Sequence, residues 1–201
     1  MTRSRFGRKW RAGKSADYSL NTNEVFDIIG APCNCVLFED ICKLDSLSDL
    51  FPSSSVGPDL VSRCLINYLY SSNYGHWVGL CLRLSSKKDG KPIIEYFDPY
   101  GSFIDDVIKE FPNAVKIEHN SDYPYLLKLL YGTGDDVYYN HFPLQSHDPG
   151  VATCGRWVGY FLRNCGDCTI DEFGKAFMEA SKQTGIARDE LITDLTNEWL
   201  S

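Results

Sequence analysis

No stretch of this chain approaches the ~18–20 consecutive apolar residues that cross a bilayer. Its apolar runs are short, as at Val36-Leu37-Phe38 and Tyr125-Leu126-Leu127. The basic N-terminal segment is followed by no apolar core of the kind an export signal needs. A reducing compartment is therefore the expected setting, and the eight cysteines are expected to remain free thiols. Internal repeats and low-complexity linkers are missing, which excludes solenoids and strings of tethered modules. Tyr131-Gly132-Thr133-Gly134 lacks the Lys-Ser/Thr of a phosphate-binding loop and reads as a turn. Paired CxxC motifs are missing too. There is one CxC, Cys33-Asn34-Cys35, and far along the chain one CxxC, Cys165-Gly166-Asp167-Cys168. That spacing is a poor zinc pattern, and no metal is expected.

Acidic residues are absent from positions 1–14, which hold Arg3, Arg5, Arg8, Lys9, Arg11 and Lys14. The remainder carries 14 bases against 27 acids, a net charge of −13. A basic arm on an acidic body can contact nucleic acid or fold back on its own surface. The rest of the composition is ordinary for a globular protein, with 43% hydrophobic, 13% aromatic and 23% charged residues in 201. A chain of this length buries roughly 70% of its unfolded surface, enough for a sizeable core without staples.

Residues 1–23 read as a polar, loose arm and 24–201 as one domain. Residues 44–51 suggest a short helix ended by Pro52. Cys64–Tyr70, Trp77–Leu84 and Pro92–Phe97 are apolar, rich in β-branched and aromatic residues, and separated by turn sequences at 71–75 and 87–90. They predict an antiparallel meander. Phe103–Phe111 has apolar residues at 103, 104, 107, 108 and 111, a helical period. Further helices are expected at 123–131, 156–164, 170–180 and 188–200, with a strand at 137–142. The sum is an α+β fold: a central, mostly antiparallel sheet flanked by helices.

Four residues carry the chemistry. His76 opens the second strand of the meander and Asp98 closes the third, so antiparallel pairing brings an acid to an imidazole, the arrangement that orients a catalytic base. Cys154 precedes a helix, where free N–H groups and the helix dipole favour a thiolate. Gln145 lies nine residues earlier in a loop, from which its amide can donate to a developing oxyanion together with the Cys154 backbone N–H. His147 and Asp148 sit in a Pro-Gly loop with no strand to aim them, so His76 is preferred as the base. His119 and His141 have no evident partner.

Gly75-His76-Trp77-Val78, Tyr96-Phe97-Asp98-Pro99-Tyr100-Gly101, Leu144-Gln145-Ser146 and Thr153-Cys154-Gly155 together resemble the adenain and Ulp-like cysteine protease superfamily. The order His, acid, Gln, Cys is that of the superfamily, and the resemblance spans residues 62–165. The aromatic–Phe–acid–Pro–aromatic–Gly segment is closest to the viral maturation proteases of adenoviruses, virophages and polinton-like elements. Ulp-like members usually carry an Asn-Asp-x-Asp-type segment between Gln and Cys, where this chain has Ser-His-Asp-Pro-Gly-Val-Ala-Thr.

The resemblance implies the adenain-like fold and these roles: His76 as general base, Asp98 as its orienting acid, Gln145 in the oxyanion hole and Cys154 as nucleophile. Trp77 would wall a channel for small substrate residues, and Gly155 would leave room for substrate backbone. The implied activity is a viral cysteine endopeptidase that cleaves capsid precursor proteins at Gly-Gly or Gly-Ala-like sites during virion maturation. The implied setting is the virion and the infected cell, in a cytoplasmic virus factory or the nucleus. No cofactor and no membrane partner are expected, but DNA or a peptide could serve as activator. The alternatives are a ubiquitin- or SUMO-like deconjugating protease, a YopJ-type acyltransferase, and a non-enzymatic nucleic-acid- or capsid-binding module.

If the arm neutralises about four to six phosphates, the log of duplex-DNA affinity falls against log salt with a slope near −4 to −5. Phe6 and Trp10 add stacking on exposed bases. Deleting residues 1–14 should flatten that slope in a salt titration and leave cleavage of short peptides intact. Unchanged DNA affinity after the deletion excludes the arm as the contact.

Overall fold

The computed structural model describes residues 13–51, 61–71, 74–84 and 92–200. A five-stranded sheet runs through its centre in sequence order: β1 (Asn34–Leu37), β2 (Ser62–Ser71), β3 (Tyr74–Leu84), β4 (Pro92–Phe97) and β5 (Asp136–Tyr139). The central three strands are the antiparallel meander that the sequence predicts. The two edge strands pair parallel to their neighbours.

Both faces of the sheet are covered, so alternate side chains of the same strand enter different cores. Leu65, Trp77, Cys81 and Phe97 face four helices: α1 (Thr22–Ile29), α4 (Cys154–Asn164), α5 (Ile170–Thr184) and α6 (Arg188–Thr196). Ile66, Tyr68, Val78, Leu80 and Tyr96 face the other way. They meet Phe38 and Ile41 of a 3-10 segment (Phe38–Lys43) and Leu126 and Leu130 of α3 (Tyr125–Tyr131). The short α2 (Asn113–Glu118) lies before α3.

Helix α4 is the pivot. Val158 and Leu162 close on Gly79 of β3, where a Cβ would come within 3.0 Å of Val158 Cγ1. Phe161 stacks on Phe97 of β4 at 4.6 Å between ring centroids. On the helix's other side Gly159 admits Ile28 of α1. Helix α1 is fixed at its start by a capping box, in which Asn21 Oδ1 accepts from the Glu24 N–H and Glu24 accepts from the Asn21 N–H.

The elements differ from the sequence expectation at several places. β3 begins at Tyr74, so His76 sits inside the strand, paired with Tyr68. Phe103–Phe111 is not an α-helix. Asp105 adopts a left-handed conformation (φ 62°), its carboxylate accepts from Tyr68 Oη and the Leu127 N–H, and only a 3-10 segment, Asp106–Glu110, follows. The 44–51 helix shrinks to a 3-10 turn, Leu47–Asp49, with its own Ser46–Asp49 capping box. β5 stops at Tyr139, because the Asn140 side chain turns to hold the Asp98 and Phe142 carbonyls. α5 runs four residues past the expected end, to Thr184, and α6 stops at Thr196 rather than 200.

The boundary at residue 23 falls inside α1, and residues 13–21 lie on the body. Arg156 Nη2 donates to the Lys14 carbonyl at 2.8 Å, the Ala152 N–H donates to the Ala16 carbonyl at 2.8 Å, and Leu20 is in the core. Lys14, expected among the arm's nucleic-acid contacts, pairs with Glu24 and lies over the Tyr18 ring. Arg3, Arg5, Arg8, Lys9 and Arg11 lie outside the described residues.

Gly79→Val should destabilise the protein by about 2–3 kcal/mol, because β3 and α4 leave no space for a side chain. Denaturant unfolding measures this. A loss below about 0.5 kcal/mol would mean that the helix is free to move off the strand.

Candidate active site

His76 and Asp98 meet as a consequence of strand register. Phe97 pairs with Gly79, so Asp98 lies one step beyond, diagonal to His76 and on the same face. His76 Nε2 is 3.0 Å from Asp98 Oδ1, and both side chains are buried. The Tyr100 N–H also donates to Asp98 Oδ1, at 2.9 Å. Among the described residues Asp98 Oδ2 has no hydrogen-bond partner, and the Asp98 carbonyl accepts from Asn140 Nδ2.

Cys154 is the first residue of α4, with Thr153 as its N-cap. Its thiol neighbours His76, and both line the same cleft. With Nε2 committed to Asp98, Nδ1 is the ring nitrogen left to face sulfur. Burial alone would depress the His76 pKa. The Asp98 charge, the Asp98 hydrogen bond and the Cys154 contact outweigh it and push the value up to about 10.

Gln145 joins the group through the residues after Asp98. Its backbone N–H, like that of Leu144, donates to the Pro99 carbonyl at 2.9 Å. Its side-chain Nε2 donates to Tyr100 Oη at 3.1 Å. Tyr100 thus touches three of the four residues, since its ring also stacks on His76 at 5.0 Å. His147 stacks on Tyr100 in turn, at 4.2 Å, and is exposed. A cleft of about 260 Å³ opens here. It is lined by Tyr70, Tyr74, His76, Tyr100, Gln145 and Cys154, with Ser19, Gly75, Val151 and Ala152 completing the wall.

The structure brings His76, Asp98, Gln145 and Cys154 together. It places the two substrate-contact candidates elsewhere. Trp77 follows His76 on a strand, so it points to the opposite face. It is 5% exposed, sits in the core, and its indole N–H donates to the Leu20 carbonyl. Gly155 lies under Leu20, Val25 and Trp77, so its lack of a side chain serves α1 packing. Tyrosines at 70, 74 and 100 wall the cleft instead. Of these, Tyr100 was visible in the segment around Asp98; Tyr70 and Tyr74 could be placed only through the pairing of β2 with β3.

The remaining candidates separate. His119 pairs with Glu39 at 2.7 Å, and His141 lies 3.9 Å from Asp171 on the surface. Cys33, Cys165 and Cys168 pack with the α4 core while Cys35 is exposed. Burial pushes the Cys33 thiol up to about 12 and the Cys168 thiol to about 11, which opposes thiolate formation. Among the described residues no three His, Cys, Asp or Glu side chains form a metal-sized group, and no helix is long and apolar enough to cross a membrane.

No family model matches the chain. The sequence is similar to the uncharacterized protein V9 of the Sputnik virophage, 28% identical over 180 residues that cover 89% of this chain and 94% of V9. The fold overlaps the crystal structure of the ASFV pS273R protease with a TM-score of 0.46 at 16% identity, over 94% of this chain and 71% of that one.

The raised His76 pKa fixes a sign. Protonated His76 is favoured in the folded state, so the pair's stabilisation is fully present below about pH 6.5 and is lost as pH rises toward about 10. Asp98→Asn should therefore cost about 3 kcal/mol at pH 6, as expected for a broken buried pair, and less than half of that at pH 10. Urea unfolding at the two pH values measures the difference. An equal cost at both would mean that His76 is neutral throughout.

Proposed function

We propose that the protein is a cysteine endopeptidase acting on viral structural precursors. The observation that carries this reading is the buried chain Cys154–His76–Asp98 at the floor of a cleft that also holds the Gln145 amide. In the proposed reaction the Cys154 thiolate attacks the scissile carbonyl carbon. The Gln145 side chain and the Cys154 backbone N–H donate to the resulting oxyanion. Imidazolium at His76 gives its proton to the departing amine, leaving a thioester on Cys154. Water, deprotonated by His76, then attacks the thioester carbonyl and regenerates the thiol. Asp98 holds the ring and stabilises its charged form.

The substrate class rests on two supports. The similarity to a virophage protein supports a virus-associated setting. The cleft is hemmed by Tyr70, Tyr74 and Tyr100, which supports small residues, Gly or Ala, before the cut. Capsid precursors cleaved at Gly-Gly or Gly-Ala-like sites during virion maturation fit both. The arm could bring DNA to the enzyme as an activator.

Incubating the protein with candidate capsid proteins and mapping new termini by mass spectrometry tests the reading. Cys154→Ala should bring cleavage to background, since a methyl group cannot attack, and Gln145→Ala should cost about 10²–10³ in turnover. Cys154→Ala activity within tenfold of the wild type would overturn the assignment. Faster reaction with ubiquitin-like C-terminal probes than with any capsid sequence would replace the substrate class.

A further inference from the structure

We propose that Asp189, on α6, is a positioning residue that holds both halves of the oxyanion site; this rests on the protease reading above. Asp189 lies far outside the segment that carries the catalytic motifs, yet its carboxylate is buried and reaches both loops that matter. Oδ2 accepts from the Ser146 N–H at 2.9 Å. Oδ1 accepts from the Thr153 hydroxyl and from Trp157 Nε1 at 3.0 Å. Ser146 follows Gln145, and Thr153 is the N-cap residue before Cys154. One carboxylate therefore ties the loop of the side-chain oxyanion donor to the helix start that supplies the backbone donor.

The neighbouring residue completes the hold. Arg188 Nε donates to the Leu144 carbonyl at 3.1 Å. Gln145 is thus flanked on both sides by bonds to the first turn of α6, while its own N–H is tied to Pro99. An oxyanion hole works only if its donors are aimed before charge develops, since reorientation would cost the stabilisation they give. The Gln145 side chain has a competing partner in Tyr100, so the orientation of its peptide unit decides where the amide can swing.

An amide at position 189 breaks this arrangement with little change of volume. All three groups facing the carboxylate are donors, and one of its oxygens becomes an NH₂ that can accept from none of them. Asp189→Asn should lower kcat for a peptide substrate about 10–100-fold with KM within about threefold, the signature of an interaction made in the transition state. Alkylation of Cys154 by iodoacetamide needs the thiolate and no oxyanion hole. Its rate constant should stay within about threefold of wild type from pH 5 to 9. In the Gln145→Ala background the same substitution should cost less than it does in the wild type, because only the hold on the Cys154 backbone N–H is then left to lose. Thr153→Val, which removes one donor isosterically, should lower kcat about 3–10-fold with alkylation unchanged, and keeps the test open if Asp189→Asn does not fold. Hydrolysis and alkylation falling in parallel, full activity of both variants, or multiplied losses in the double variant would overturn the role of Asp189 alone. A wild type that hydrolyses no peptide and alkylates Cys154 no faster than its other thiols would overturn the protease reading and this role with it.

Discussion

The site depends on the closeness of α4 to β3. Gly79 is the point where the helix lies on the strand, and only a residue without a side chain lets Val158 and Leu162 sit there. The helix start must reach the end of the sheet at which the His76 ring emerges, and any increase in the layer spacing would carry Cys154 away from it. The same contact stacks Phe161 on Phe97, the residue before Asp98. Cys154 and His76 are therefore placed relative to each other by one packing interface, and Asp98 follows directly on the strand that shares it.

The turn after β4 is the second organiser. Asp98 supplies the carboxylate, Pro99 supplies the carbonyl that pins Gln145, and Tyr100 supplies a backbone N–H, a ring and a hydroxyl. Gly101 ends the turn at φ 74°, and its N–H donates back to the Asp98 carbonyl. A Cβ there would lie 2.9 Å from the Phe142 carbonyl carbon, so the turn is also where the 140–145 segment comes closest. Proline fixes one φ and glycine permits the left-handed one, so the turn is tight enough that four consecutive residues all serve the site.

The meander was legible because its strands are apolar runs rich in β-branched and aromatic residues and its turns carry Gly, Asn and Ser; β5 was legible in part, within the strand read at 137–142, and β1 was not. β1 and β5 are four residues each and pair parallel with partners well away in sequence, so neither their pairing nor the ends of β5 could be read locally. The helical period at 103–111 was real, but the Tyr68 and Leu127 bonds to Asp105 fix a left-handed residue that period alone does not reveal. The meeting of His76 with Asp98 could be read because hairpin register is a local property. Trp77 was misplaced for the complementary reason: residues adjacent in a strand face opposite sides. Asp189 left no signal, since the partners that define it are 43, 36 and 32 residues away in sequence.

The segment from Gly13 to Leu20 gives the N-terminus a geometry. Ser19 lines the cleft and Ala16 is bonded to the loop before Cys154. Gly13 is six residues upstream of Ser19, at most about 20 Å of extended chain. The basic run is joined to the described body at Gly13, within that reach of the cleft. A polyanion held by that run would be tethered there, and any substrate bound to the same polyanion would meet the cleft at an effective concentration of order millimolar. Proximity of this kind needs no change of shape in the protein and raises encounter only for proteins on the same polymer.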